Sequence, residues 1–239
     1  MSNTYFQCKQ FIIHQERSAM KVCTDACLFG AWIAVGVERW QMTVNSMLDI
    51  GTGTGLLSLM FAQKTVAKID AIELDEQAAE QAAENFESSV WKERLQVIQG
   101  DARTIHLGKK YDLIISNPPF FENDLKSADA QRNLALHSRE LSLQELVTVI
   151  KTHLAENGKF AVLLPWHRKD EFEKLALAEK FYLEEEVSVK QTPAHNYFRA
   201  MLLFGRTEVA AQFISIIIRE EDQYTATLTD LLKDYYLKL

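Results

Sequence analysis

The sequence has no apolar run long enough to cross a membrane. Runs such as residues 160–165 and 213–218 have the length of single strands, whereas a membrane-spanning helix needs about 20 apolar residues. Residues 1–10 contain neither the basic nor the apolar region of a secretory signal peptide. We therefore expect no membrane partner.

Cysteine is scarce, and the number of cysteines is odd. Cys8, Cys23 and Cys27 cannot all pair within one chain, which favours a reducing, cytoplasmic location. A metal centre would need more ligands nearby, and only His14 is close to the cysteines in sequence. We expect small core cysteines and no metal site.

Positive charge is also in short supply, because 26 lysines and arginines face 33 acidic residues, giving a net charge of −7. Taken alone, this argues against a nucleic-acid partner, since phosphate binding requires lysine and arginine. A local basic patch can nevertheless act on an acidic protein, so net charge does not decide the question. We expect a monomer that does not bind DNA.

What the sequence does contain is an alternation of apolar strands and amphipathic helices from Ser46 to Glu179. This order predicts an α/β domain with parallel strands, right-handed crossovers and helices on both faces of the sheet. Consecutive strands are predicted at 181–191, 197–206 and 213–219, which indicates an antiparallel addition at one edge. A closing helix is predicted at Thr227–Leu239.

Three of the nine glycines lie in one loop between a predicted strand and a predicted helix, Asp49–Gly55. Such a turn brings bare backbone close to a ligand, and the N-terminus of the following helix favours anionic groups. The dinucleotide fingerprint G-x-G-x-x-G would require glycine at Leu56, so the observed G-x-G-x-G spacing disfavours a dinucleotide. We predict that the loop binds another cofactor through Asp49, Gly51, Thr52, Gly53 and Gly55.

Acidic residues follow the next two predicted strands. Glu73 ends the first of them, where a carboxylate can accept hydrogen bonds from the two hydroxyls of a ribose. Asp101 follows the second of these strands and precedes Ala102. A carboxylate there can accept a hydrogen bond from the amino group of an adenine. We therefore predict that Glu73, Asp101 and Ala102 contact the nucleoside part of the cofactor.

An apolar strand at Tyr111–Ser116 runs directly into Asn117, Pro118, Pro119 and Phe120. The strand must end there, because proline lacks the N–H group and fixes φ. Asn117 is therefore expected at the carboxyl edge of the sheet, beside the cofactor. The four residues are the predicted catalytic segment.

This segment suits methylation of a nitrogen conjugated to a ring or a carbonyl group. The lone pair of such a nitrogen is delocalised, and two acceptors at tetrahedral angles can draw its N–H groups out of the plane. The Asn117 Oδ1 atom and the Pro118 carbonyl can be those acceptors, and in-line positioning supplies most of the effect. Phe120 can stack on a planar substrate.

The order of these motifs resembles the amino-methylating class I methyltransferases. Further segments are similar to the bacterial tRNA1(Val) adenine-37 N6-methyltransferase family, and the resemblance covers essentially the whole chain. They are Phe6–Phe11, Ala19–Asp25, Leu28–Trp32, Arg199–Arg206 and the tyrosine-rich tail.

The resemblance implies a Rossmann-like, mostly parallel sheet of seven strands with one antiparallel edge strand. It implies S-adenosylmethionine as cofactor, also in contact with Asn117, and a tRNA partner whose anticodon-loop adenine accepts the methyl group. It further implies a single domain, in which an extension, residues 1–45, packs over the cofactor beside a core of residues 46–239. Lys21, Thr24 and Asp25 of the extension would contact the cofactor.

Other functions stay open at this point. Related adenine enzymes often have tyrosine where this chain has Phe120, and phenylalanine is also common in guanine-N2 rRNA methyltransferases. A protein glutamine is a further planar acceptor. A non-catalytic RNA-binding or scaffold protein would have no need of Asn117 and the intact glycine loop, which argues against that function.

Overall fold

The computed structural model describes residues 3–118 and 141–239 and contains a central sheet of eight strands. An amino-terminal hairpin of β1 (Tyr5–Gln7) and β2 (Ile12–His14) precedes the sheet. The central strands are β3 (Ser46–Ile50), β4 (Lys68–Glu73), β5 (Leu95–Gln99), β6 (Tyr111–Ser116), β7 (Leu154–Pro165), β8 (Tyr182–Lys190), β9 (Tyr197–Gly205) and β10 (Gln212–Ile217). A two-residue pair, β11 (Arg219–Glu220) and β12 (Gln223–Tyr224), follows.

Helices alternate with the strands and cover both faces of the sheet. They are α1 (Thr24–Arg39), α2 (Leu56–Ala62), α3 (Glu76–Glu87), α4 (Leu143–His153), α5 (Lys169–Ala178) and α6 (Ala226–Leu232). Local sequence explains where several begin: the Asp75 side chain accepts the N–H of Ala78 to cap α3, and Ser142 and Glu145 form a capping box on α4.

Two apolar cores lie on opposite faces of the sheet. One contains the buried faces of α1, α2 and α6, and the other contains those of α4 and α5. Strand β6 supplies both cores, because Leu113 and Ile115 face one and Ile114 faces the other. The continuous apolar run of β6 is the pattern expected for a strand buried on both sides.

The strand order β10-β8-β9-β7-β6-β3-β4-β5 confirms the predicted α/β class and corrects two details. The sheet has eight strands rather than seven, because β10 adds to β8 in parallel. The antiparallel strand, β9, lies inside the sheet between β7 and β8 rather than at its edge. Residues 200–205 of β9 are all buried, as an interior position requires, whereas residues 212–215 of β10 are exposed.

The predicted closing helix is too long. Helix α6 ends at Leu232, and the chain then turns so that Tyr236 forms a bridge with Cys8. The buried Tyr235 hydroxyl donates to the Met60 carbonyl at 3.1 Å, so docking of the tail on the core competes with helix continuation.

Among residues 3–118 and 141–239, no helix is long and apolar enough to span a membrane. No group of three or more histidine, cysteine or acidic side chains is placed to hold a metal ion in these ranges. Cys8 and Cys27 are buried and Cys23 is exposed, yet desolvation raises the pKa of all three thiols to about 12.

Candidate active site

The predicted site residues follow four neighbouring strands at one edge of the sheet. Strands β6, β3, β4 and β5 are adjacent and parallel, so their carboxyl ends meet there. The glycine loop follows β3, Glu73 ends β4, Asp101 follows β5, and Asn117 follows β6. In an open α/β sheet this edge is where ligands bind.

All three loop glycines have positive φ, at 74° for Gly51, 56° for Gly53 and 82° for Gly55. A Cβ atom at Gly55 would lie 2.5 Å from the Phe86 ring of α3, so close packing as well as conformation requires glycine there. A Cβ atom at Gly51 would meet nothing within 4 Å. The loop therefore leaves open space above Gly51 and packs tightly at Gly55.

Asp49 fixes the loop from below. Its carboxylate is fully buried, and Oδ2 accepts hydrogen bonds from Thr52 Oγ1 at 2.7 Å and Ser58 Oγ at 2.8 Å. The buried Oδ1 atom has no hydrogen-bond partner in the described part of the chain. Burial raises the pKa of Asp49 to about 6, against the two hydroxyl donors that lower it.

Glu73 is tied to the same loop. Its Oε2 atom accepts the Gly53 N–H at 2.8 Å, and its Oε1 atom accepts the Asp75 N–H at 3.0 Å. The carboxylate is half-buried and retains lone pairs beyond these two bonds. Glu73 can therefore orient the loop and still accept further hydrogen bonds.

Asp101 has a partner that sequence reasoning missed. Arg103 Nε donates to Oδ1 at 2.9 Å and Oδ2 at 3.0 Å, and Arg103 Nη1 also reaches Glu145 of α4 at 3.2 Å. The hydrogen bond from Arg103 lowers the pKa of Asp101. Ala102 packs on the core beneath α4 and α5. The only signal in the sequence was an arginine two residues after the acid.

Asn117 and Pro118 are placed by the end of β6. The buried Ser116 hydroxyl donates to the Ile50 carbonyl at 2.9 Å, which ties the end of β6 to the start of the glycine loop. Asn117 is half-buried and Pro118 is buried. Pro119 and Phe120 lie outside the described residues.

The amino-terminal arm, residues 14–22, lies along helix α3 beside the glycine loop. Buried Asn85 bonds the His14 N–H and carbonyl and also donates to the Thr54 carbonyl, each at 2.9 Å. Gln81 accepts the Arg17 N–H at 2.9 Å. These two amides interrupt the apolar face of α3, which is the signal that sequence reasoning left unused.

Lys21 holds the arm itself together. Its ammonium donates to the backbone carbonyls of Gln15 and, at 3.0 Å, Ser18. The Ser18 hydroxyl lies 3.8 Å from where a Cβ atom would stand on Gly53, so the arm passes directly over the loop. Lys21 therefore shapes the backbone over the loop.

Thr24 and Asp25 begin helix α1. The Asp25 carboxylate accepts a hydrogen bond from Arg199 Nε at 2.7 Å, and both side chains are largely buried. Arg199 stands opposite Pro165, at the carboxyl end of β7. This ion pair links the amino-terminal extension to the late strands along the edge that carries the site.

Comparison with known proteins identifies the family. The family model of the methyltransferase small domain matches residues 37–192. This chain belongs to that family. Of the elements described above, the match includes β3 to β8, and therefore the glycine loop, Glu73, Asp101 and Asn117.

Full-length relatives of this methyltransferase are named tRNA1(Val) (adenine(37)-N6)-methyltransferase. The protein from Flavobacterium johnsoniae is 41% identical, over 98% of this chain and 100% of the relative. The one from Tolumonas auensis is 40% identical, over 100% and 99%. The predicted resemblance is thereby confirmed over the whole length of the chain.

Solved structures share the fold of this methyltransferase. A predicted O-methyltransferase from Agrobacterium tumefaciens has a TM-score of 0.67 at 16% identity, covering 88% of this chain and 96% of that one. A methyltransferase from Pyrococcus furiosus has a TM-score of 0.52 at 20% identity, covering 74% and 82%.

Proposed function

We propose that this methyltransferase transfers a methyl group from S-adenosylmethionine to N6 of adenine 37 in the anticodon loop of a valine tRNA, the activity named for its full-length relatives. The observation that carries the proposal is the junction of Ser116 and Ile50. Their hydrogen bond sets Asn117-Pro118 beside the glycine loop, so an acceptor nitrogen and a methyl donor can meet there.

The residues at the edge of the sheet fit the cofactor. The space above Gly51 accommodates a ligand that approaches the backbone closely. The Glu73 carboxylate retains lone pairs for ribose hydroxyls, and Asp101 can accept a hydrogen bond from an adenine amino group. The buried Asp49 Oδ1 atom has no partner among residues 3–118 and 141–239, so an acceptor stays available at the base of the loop. Because Ser18 lies over Gly53, we propose that the arm covers this site.

The protein's part in the reaction is to position and polarise the acceptor. The Asn117 Oδ1 atom and the Pro118 carbonyl accept hydrogen bonds from the two N–H groups of the adenine amino group and hold its nitrogen pyramidal. When bound, S-adenosylmethionine would supply a methyl group on a sulfonium, from which the neutral thioether S-adenosylhomocysteine is a good leaving group. No strong base is required before transfer, because the nitrogen becomes cationic only when it is methylated and then loses its surplus proton to water. Pro119 and Phe120 complete this proposed segment.

Further elements of the proposal concern the setting of the enzyme. We infer that it works as a monomer in the cytoplasm, where tRNA is the substrate and DNA is not. Residues 1–45 are proposed to act as an extension over the cofactor, with Lys21, Thr24 and Asp25 near it. The contacts of Asn85 and Gln81 with the arm support this arrangement.

A methylation assay tests the proposal. The purified protein is incubated with labelled S-adenosylmethionine and a valine tRNA transcript, and the product is digested and analysed by mass spectrometry. N6-methyladenosine at position 37 is expected, and a transcript with guanine at that position should accept no methyl group. Equal labelling of both transcripts, or labelling only of rRNA or of protein, would reject the proposed substrate.

A further inference from the structure

Beyond the proposed site, the same edge of the sheet carries a stack of aromatic and basic side chains. Trp166 follows the end of β7, and Tyr197 begins the neighbouring β9. Their ring centroids are 4.7 Å apart with planes inclined by 35°. Lys169 Nζ lies 4.8 Å from the Trp166 ring, and Lys190 Nζ lies 4.6 Å from the Tyr197 ring. We call these four residues the edge stack.

The topology sets the edge stack close to Asn117. Strand β7 is the parallel neighbour of β6, with Val162 opposite Ser116. Trp166, which directly follows the strand, therefore lies about 10 Å further along the strand direction than Asn117, one strand across. Neighbouring nucleotides of one RNA loop can span that distance.

The two lysines of the edge stack differ in their ion pairs. Lys169 is neutralised by Asp170 at 2.8 Å and Glu186 at 3.2 Å. In the described part of the chain, Lys190 has no carboxylate within ion-pairing distance, and its ammonium rests on the Tyr197 ring. Both rings are only half-buried. A long, flexible lysine beside an accessible ring is a combination suited to a phosphate and a base of the same strand.

We propose that the edge stack binds single-stranded RNA next to the target adenine, with a base against the Trp166–Tyr197 pair and a phosphate on Lys190. This rests on the proposed function and adds the surface that holds the loop. Sequence-specific RNA recognition commonly targets unstacked loop bases on aromatic rings, and an extruded adenine leaves its neighbours available for such contacts. The surface gives an acidic protein a local basic contact for RNA.

Binding of a synthetic valine anticodon stem-loop, measured by fluorescence anisotropy, tests this surface. Tyr197→Leu should raise Kd about five- to a hundredfold, whereas Tyr197→Phe, which keeps the ring, should stay close to the parent protein. Tyr182→Leu is the matched control, because Tyr182 begins β8 at the opposite edge of the sheet. Affinity for S-adenosylhomocysteine should be the same in all variants, which verifies an intact fold.

Salt dependence tests the phosphate contact. Lys190→Gln should reduce the slope of log Kd against log salt by about 0.7, the value for one phosphate of a single strand. Lys68→Gln, at the start of β4 on the opposite edge, should leave the slope unchanged. In steady-state assays, Tyr197→Leu should raise KM for the RNA while kcat at saturating RNA is retained.

Binding and methylation separate the two proposals. Wild-type binding of the stem-loop with an unchanged Kd for Tyr197→Leu would overturn the edge stack and leave the proposed function intact. Loss of binding in Tyr197→Leu, with no methylation at position 37 by the wild type, would support the surface and reject the substrate. Failure of the wild type to bind the stem-loop would overturn the surface.

Discussion

At the scale of single residues, the site depends on atoms that hold the glycine loop and the end of β6 in fixed relation. Asp49 and Glu73 accept hydrogen bonds from the loop, and Ser116 ties Asn117 to it. The positions of Asp49, Glu73 and Asn117 at the carboxyl ends of strands could be predicted, because Asp49 is the second-last residue of β3, Glu73 ends β4 and Asn117 follows β6. Arg103 could not, because its pairing with Asp101 depends on how the chain turns after β5.

Asn117→Ala tests the acceptor role of the amide. Loss of one acceptor aimed at the reacting nitrogen should lower kcat by about 100- to 1000-fold, the usual cost of removing a preorganised polar group. Kinetics with valine tRNA measure kcat, and calorimetry with S-adenosylhomocysteine measures the affinity of the cofactor site. Thermal unfolding serves as control and should be unchanged, since Asn117 is only half-buried. Unaltered kcat would contradict the mechanism.

Gly55→Ala and Gly51→Ala form a matched pair in one loop. Both place a side chain at positive φ, which costs about 1 kcal/mol. Only Gly55→Ala also forces a Cβ atom against Phe86, so its free energy of unfolding should fall further, by about 2–4 kcal/mol in total. Gly51→Ala should instead weaken cofactor binding. Equal losses of stability in urea unfolding would refute the packing argument.

Asp49 also gives stability a defined dependence on pH. Its pKa is about 6 when folded and about 3.9 when unfolded, so the protonated form stabilises the fold. That contribution, about 3 kcal/mol, is present below pH 4 and lost as pH rises through 6. Unfolding of the wild type and Asp49→Asn at several pH values measures it. A stability difference that stays constant from pH 4 to 7 would contradict this expectation.

At the scale of elements, the sequence predicts where the strands lie along the chain better than it predicts which strands pair with each other. The bounds of β6 match the predicted strand Tyr111–Ser116, because an apolar run ends there directly before Asn117 and two prolines. The interior place of β9 was not predicted, because pairing order is a non-local property. A hint was present, since residues 200–204 are apolar on both faces, as for an interior strand. The tail beyond α6 was likewise mispredicted, because tertiary docking ends the helix.

Attachment of the amino-terminal arm to α3 is an element-scale property that Asn85→Ala tests. The change removes three hydrogen bonds and leaves backbone groups of His14 and Thr54 unpaired, at a cost of about 2–3 kcal/mol. Tryptic cleavage after Arg17 should accelerate, and cofactor affinity should fall. Gln77→Ala, on the exposed face of the same helix, is the control. Equal cleavage rates would show that Asn85 does not hold the arm.

At the scale of the whole molecule, the proposed ligand contacts of this acidic protein all lie along one edge of the sheet. The proposed cofactor residues lie at the carboxyl ends of β3 to β6, and the edge stack lies at the ends of β7 and β8 and the start of β9. The Asp25–Arg199 pair spans the two regions. Sequence order alone predicts the region of the proposed cofactor residues, because parallel strands all present their carboxyl ends to it. The region of the edge stack depends on β9 entering the sheet in the opposite direction.

The interior position of β9 has a consequence for how the protein is made. Strands β7 and β8 are synthesised before β9, yet they pair with it rather than with each other. Until residue 205 has left the ribosome, a nascent chain holds two open strand edges with unsatisfied N–H and carbonyl groups, and such edges recruit other chains. Premature termination inside β9 should therefore yield a product that aggregates. Pairing of the late strands should limit the rate of folding.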